Sequence, residues 1–141
     1  MTACVLDASR VFPWLFEDEA SPAADAMLAV VGRQGAVVPS LWHVEIANGL
    51  GLAERRKRVS PAEVQEAVAL LRGLPLVTDE MAPAHAFGTV LDLMRSHHMT
   101  AYDAVYLELA TRLGLPLATN DRHLRRVANA TGVALLQTNA S

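Results

Sequence analysis

Two hydrophobic periods alternate along this chain. Short runs that are apolar throughout suit strands buried on both faces. Longer stretches with apolar residues every three or four positions suit helices with one buried stripe. The run ACVLDA at 3–8, with Asp7 near its carboxyl end, predicts a first strand; AVV at 36–38, PLVT at 75–78, LPLAT at 115–119 and VALL at 133–136 predict four more. The stretches between them carry helix signals. Ser9 stands ahead of RVFPWLF at 10–16 as a cap, with Pro13 in the first turn, and Ser21–Pro22 opens an alanine-rich helix to about Val31. Gly32 and Gly35 bracket a turn, Ser40 caps a helix to about Arg58, and Ser60–Pro61 opens another ending near Gly73. Further helices are predicted from about Ala82 to His97, from Thr100, and from Asn120 or Asp121 to about Thr131. Strands alternating with helices give a three-layer α/β/α architecture with a short parallel sheet of four to five strands.

Composition agrees with a folded chain. Hydrophobic residues make up 52% of the 141 positions and charged ones 19%, which excludes a disordered segment and fits one domain. A net charge of −3 argues against broad electrostatic binding of nucleic acid, though not against a site that carries its own cations. Cys4 is the only cysteine, so an internal disulfide is excluded and a small core residue is expected. No apolar stretch approaches the ~18 residues that span a bilayer. Asp7 and Arg10 interrupt any signal-like segment, so no membrane partner and a cytoplasmic location are expected.

The stretch TAYDAVYLELA at 100–110 frames the chemistry. Its apolar residues recur at Tyr102, Val105, Tyr106 and Leu109, and Tyr106, Leu107 and Ala110 lie within about 60° of Asp103 on a helical wheel. Glu108, Thr111 and Arg112 fall on the far side, so Asp103 is expected to face the buried arc, where an unpaired carboxylate is costly. A T-x-x-D capping box, with Asp103 bonding back to the Thr100 amide, is the structural alternative.

Three more acids share this ambiguity. Asp7 interrupts an apolar run at a strand end. Glu45 sits beside the core stripe of Trp42, Ile46 and Leu50, and Asp121 follows the fourth strand as a conventional N-cap. In parallel α/β sheets ligands sit beyond the carboxyl ends of the strands, where these acids would meet. Like charges at ~4 Å repel by roughly 4 kcal/mol at an effective dielectric near 20, so raised pKa values or a divalent cation must offset them. An all-oxygen acidic site suits Mg²⁺ or Mn²⁺.

Taken together, VLDAS at 5–9, VEIANGL at 44–50, TAYDAVYLELA at 100–110 and LATNDRHL at 117–124 resemble the PIN domain, and within it the VapC-type toxins of type II toxin–antitoxin modules. The resemblance spans almost the whole chain and implies a PIN-like fold and a metal-dependent ribonuclease. It implies an acidic quartet of Asp7, Glu45, Asp103 and Asp121, with Ser9, Asn48 and Thr119 as supporting polar residues. Asp7, Asp103 and Asp121 would hold one or two Mg²⁺ or Mn²⁺ ions, and Glu45 would position or deprotonate the attacking water. The implied substrate is a structured RNA with an exposed loop, such as a tRNA, cut to leave a 5′-phosphate and a 3′-hydroxyl. A cognate antitoxin, a homodimer, and operator DNA reached only through the antitoxin are further implications.

Other residues carry weaker signals. Arg122, beside Asp121, is the expected RNA contact, with Arg125 and Arg126 near it; Arg55, Arg56, Lys57 and Arg58 also read as a charged helix end. The five histidines show no zinc spacing and read as structural or surface residues. Val11, Phe12, Trp14, Leu15 and Phe16 read as core, or as a patch that an antitoxin covers. Rival classes fit less well. A phosphatase pattern wants a second Asp where Ser9 stands, and a receiver domain wants a lysine beyond its last strand, whereas the only lysine is Lys57. A PIN nuclease acting in RNA processing and a non-catalytic module on the same scaffold remain as alternatives.

Overall fold

Four parallel strands form the centre of the molecule, a computed structural model that describes residues 2–138. They are β1 (Cys4–Leu6), β2 (Ala36–Pro39), β3 (Leu76–Asp79) and β4 (Leu117–Ala118), in the order β3-β2-β1-β4. Val5 pairs with Val37 on one side and Leu117 on the other. The sheet therefore builds outward from β1 in both directions, which opens a crevice at the carboxyl ends of β1 and β4. Residues of β1, β2 and β4 are buried throughout, so both faces of the sheet are covered.

The helices start and stop where local chemistry dictates. They are α1 (Phe12–Leu15), α2 (Pro22–Gln34), α3 (Leu41–Arg55), α4 (Pro61–Arg72), α5 (83–97, with a π turn at Ala86–Val90), α6 (Ala101–Leu113) and α7 (Arg122–Thr131). Ser21 caps α2, and Ser60 with Glu63 forms a reciprocal capping box on α4, both ahead of a first-turn proline. Gly35 ends α2 at φ +78°, and a Cβ there would meet the Pro75 carbonyl oxygen at 2.6 Å, so the turn into β2 needs glycine. Helix α6 lies against β1, β2 and β4, and its Tyr106, Leu107 and Leu109 are wholly buried.

Several expectations change. The fifth strand reduces to one parallel bridge between Leu117 and Leu135. Strand β3 is not buried on both faces: as an edge strand it leaves Val77 60% exposed. Ser9 and Ser40 do not cap; Ser40 already has helical dihedrals and makes no side-chain cap bond, while Ser9 lies inside a 3₁₀ turn at Ala8–Arg10. Helix α3 stops at Arg55 rather than Arg58, with Lys57 in the left-handed region at φ 57°.

Helix α6 also presents its faces differently. Tyr102 is 68% exposed, whereas Glu108, expected on the solvent side, is 3% exposed. Arg112 Nε donates to Glu108 Oε1 at 2.7 Å and its NH2 group to Asp79 Oδ2 at 2.7 Å, so a cation bridges the buried acid to the end of β3. Cys4 is the expected core residue, and burial pushes its thiol up to about 12.

Among Val11, Phe12, Trp14, Leu15 and Phe16 the core reading prevails. Val11 and Phe16 are buried, the others half-buried, and the Trp14 indole donates to the Ala24 carbonyl at 2.8 Å. The large exposed apolar side chains lie elsewhere, at Val44, Phe87 and Tyr102 among others.

Candidate functional site

Strand β1 ends by delivering Asp7 to the crevice, where its amide still bonds to the Ala118 carbonyl of β4 at 2.9 Å. The carboxylate is 6% exposed, and two hydroxyls hold it: Ser9 Oγ and Thr119 Oγ1 each donate to Asp7 Oδ2 at 2.6 Å. Each hydroxyl has one proton, so both are oriented as donors to Asp7 and accept in turn. Ser9 Oγ accepts from the Asn120 amide at 2.9 Å, and Thr119 Oγ1 accepts from the Asp121 amide at 3.0 Å. The loop after β4 is thereby fastened to the end of β1 through the acid itself.

Glu45 reaches the same crevice from the second turn of α3. Tyr106 on α6 donates its hydroxyl to Glu45 Oε1 at 2.6 Å, which fixes the carboxylate across two helices. Asp103 enters from the first turn of α6. Thr100 caps the Asp103 amide at 3.2 Å, but the reciprocal bond to the Thr100 amide does not form. Asp121 does cap its helix: the Leu124 amide donates to its Oδ1 at 2.7 Å.

One cleft of about 530 Å³ is lined by Asp7, Glu45, Asp103 and Asp121, together with Ser9 and Asn48. All four expected acids therefore line the same cleft, and Thr119 bonds the Asp7 carboxylate. Phe12 and Gly49 form part of the same wall. A Cβ at residue 49 would come within 2.3 Å of the Phe12 ring, so glycine there lets α1 close against α3. Glu19 also lines the cleft, tied to Arg58 at 2.8 Å. Arg58 stacks over the Phe16 ring at 4.1 Å and is occupied structurally. Arg122 is exposed and stands outside the lining residues.

Charge shapes this cleft. Burial raises the pKa of Asp7 above the usual carboxylate range; its Ser9 and Thr119 donors oppose the rise and the Asp121 charge adds to it. Burial also raises Glu45, against the bond from Tyr106, with the charges of Asp7 and Asp103 contributing. Asp103 is raised by burial and then by the charges of Asp121 and Asp7. Each of these acids is thus a poor place for another negative charge and a good one for a cation.

Among the described residues, no group of three or more His, Cys, Asp or Glu side chains is drawn together tightly enough to hold an ion by itself. Asp7, Asp103 and Asp121 line one cleft without forming a closed chelate. The donor set, oxygen only and mutually repelling, still fits a hydrated hard dication, because Mg²⁺ takes one or two carboxylates directly and keeps several waters.

Two residues of the site were not read from the sequence. Tyr106 looked like a core aromatic, although its place one turn beyond Asp103 was a usable signal. Asn120, seen only as a cap, instead bonds Ser9 through both its amide and its side chain, the latter to the Ser9 carbonyl at 3.2 Å.

Comparison with known proteins points one way. The sequence model of the PIN domain matches residues 4–130. Ribonuclease VapC1 of Mycobacterium tuberculosis is 31% identical over 124 residues, covering 88% of this chain and 90% of that protein. Among solved structures, VapC20 of Mycobacterium tuberculosis, described as a sarcin–ricin loop cleaving toxin, superposes with a TM-score of 0.68 at 14% identity, over 95% of this chain and 98% of that one. A toxin–antitoxin complex from Klebsiella pneumoniae superposes with a TM-score of 0.58 at 13% identity, over 84% and 87%. At these identities the two structural likenesses speak to the fold.

Proposed function

This chain belongs to the PIN domain family, and we propose that it is a metal-dependent endoribonuclease acting as the toxin of a type II toxin–antitoxin module. The observation that supports this reading is that Asp7, Glu45, Asp103 and Asp121, from four separate elements, line one cleft. The ribonuclease name of the 31% identical VapC1 supports the reaction class.

Asp7, Asp103 and Asp121 would hold Mg²⁺ or Mn²⁺, directly or through water. Such an ion, when bound, acidifies water and offsets charge on the phosphate oxygens. Ser9 and Thr119 hold Asp7 in one rotamer, so the cleft keeps its shape before substrate arrives. Glu45 accepts the proton of the attacking water. Tyr106 anchors its Oε1, which leaves Oε2 for that task, and the raised pKa makes it a stronger base than an exposed glutamate. Water adds to phosphorus as the bond to the 3′ oxygen breaks, and that oxygen takes up a proton from solvent, so the products carry a 5′-phosphate and a 3′-hydroxyl. Asn48, which lines the cleft, would donate to a phosphate oxygen.

The substrate is a structured RNA with an unpaired loop, since splayed bases can enter an open cleft. A cognate antitoxin covers the site in the resting module, and the active unit is a homodimer; operator DNA is bound only through the antitoxin. The Klebsiella pneumoniae toxin–antitoxin complex supports an antitoxin partner for this fold. The test is cleavage of a tRNA pool and of ribosomal RNA loop fragments, with and without EDTA, beside Asp7→Asn. Metal-dependent cleavage lost in the variant is expected; metal-independent cleavage, or an unimpaired variant, overturns the reading.

A further inference from the structure

We propose that the acidic cleft continues along α3 as a groove for the RNA strand, and that Arg56 at the end of that helix holds a phosphate flanking the scissile one. This rests on the nuclease reading and deepens it by giving the substrate a course away from the acids.

The groove is read from shared walls. Beside the cleft lies a second cavity of about 270 Å³, lined by Phe16, Leu52, Arg56 and Arg58 among others. Phe12, Glu19 and Gly49 line both cavities, so the two adjoin across those three residues. Helix α3 runs beside both. At about 100° per residue, Glu45, Gly49, Leu52 and Arg56 fall on one face of it, within about 60° of one another. At ~1.5 Å per residue Arg56 lies about 16 Å along the axis from Glu45. Its amide still bonds to the Leu52 carbonyl at 3.0 Å, which keeps it in helical register.

The end of α3 sorts its cations. Lys57 takes the left-handed conformation, and the Arg58 amide bonds back to the Ala53 carbonyl at 2.8 Å, as in a Schellman cap. The chain turns there, and Arg58 goes to Phe16, Asp18 and Glu19. Glu19, the acid in the shared wall, is thus answered within the protein. Arg56 has no such partner: among the described residues it makes no ion pair. Arg55, at the same helix end, lines neither cavity.

Charge and surface then select the occupant. One end of the groove carries four carboxylates suited to a dication. The other carries an unpaired guanidinium, whose planar fork matches phosphate. Between them Phe12 and Leu52 offer apolar surface to a base or sugar. A polyanion whose phosphates alternate with flat apolar rings meets all three. With one phosphate at the acids, a single strand brings a later one to Arg56.

The test is fluorescence anisotropy of a labelled ten-nucleotide single-stranded RNA over a series of NaCl concentrations, with Ca²⁺ in place of Mg²⁺ and the RNA verified intact. The proteins are the wild type, Arg56→Gln, Arg56→Lys and Arg55→Gln, each checked for an unchanged melting curve. Arg56→Gln is expected to raise Kd about tenfold at low salt. Its salt slope should be shallower by about 0.7, the value for one phosphate on a single strand. Arg56→Lys, which keeps the charge, should recover that slope, and Arg55→Gln should change Kd by no more than about twofold. No binding by the wild type, an unchanged slope in Arg56→Gln, or equal losses in the two Gln variants overturns the groove alone. Failure of the nuclease reading shows separately, as a wild type that binds this RNA yet cleaves neither tRNA nor ribosomal RNA fragments in Mg²⁺.

Discussion

Tyr106 donates a 2.6 Å hydrogen bond to Glu45 across 61 residues of sequence, joining α6 to α3 through one of the acids that line the cleft. The bond lowers the Glu45 pKa against the rise caused by burial. Tyr106→Phe removes it while keeping the ring in the core. We predict a fall in kcat of about tenfold and a stability loss near 1 kcal/mol, read by cleavage assay and urea titration. The Glu45 pKa should climb further, so the acid limb of the pH–rate profile moves to higher pH.

Thr119→Val keeps the shape of the side chain and removes one of the two donors to the buried Asp7. A buried carboxylate that loses a partner costs about 1.5–3 kcal/mol, which chemical denaturation at neutral pH would register. Loss of that donor also raises the Asp7 pKa, and the freed rotamer should lower cleavage activity.

Metal-free protein should grow less stable as pH rises. Asp7, Glu45 and Asp103 all have folded pKa values above their ordinary ones, so the folded state holds these protons more tightly than the unfolded chain. Their contribution to stability is full below the ordinary carboxylate values, near pH 4, and is lost as pH rises through the raised values. In EDTA, Asp103→Asn should flatten this dependence and raise the melting temperature at neutral pH, and Mn²⁺ should stabilise the wild type more than the variant. Calorimetric scans across pH would check both.

On the far side of α6, Arg112→Met takes from the buried Glu108 its guanidinium partner and leaves only His85 Nδ1, at 3.5 Å, beside it. Breaking such a pair costs about 3–5 kcal/mol, seen as an earlier denaturant midpoint. Because this network lies away from the cleft lining, kcat/KM well below the melting temperature should stay near wild type.

These residues also show where the sequence was legible. Strand and helix order followed from apolar runs and from Ser–Pro starts, because those signals are local. The four acids could be gathered because each sat at a strand end or helix start, where parallel topology brings chain together. Glu108 was misread because a helical wheel shows only one helix: α5 packs on the face that looked free, and Arg112 ties Glu108 to Asp79 at the end of β3. Tyr106 looked like plain core because an aromatic on a buried arc gives no hint of its hydroxyl's partner.

The most direct test is isothermal titration of Mn²⁺ into the wild type and into Asp7→Asn and Asp103→Asn variants that retain wild-type circular dichroism. Saturable binding by the wild type, weakened at least tenfold in both variants, is the outcome the converging carboxylates require. Absence of saturable binding, or equal affinity in all three proteins, would contradict the account.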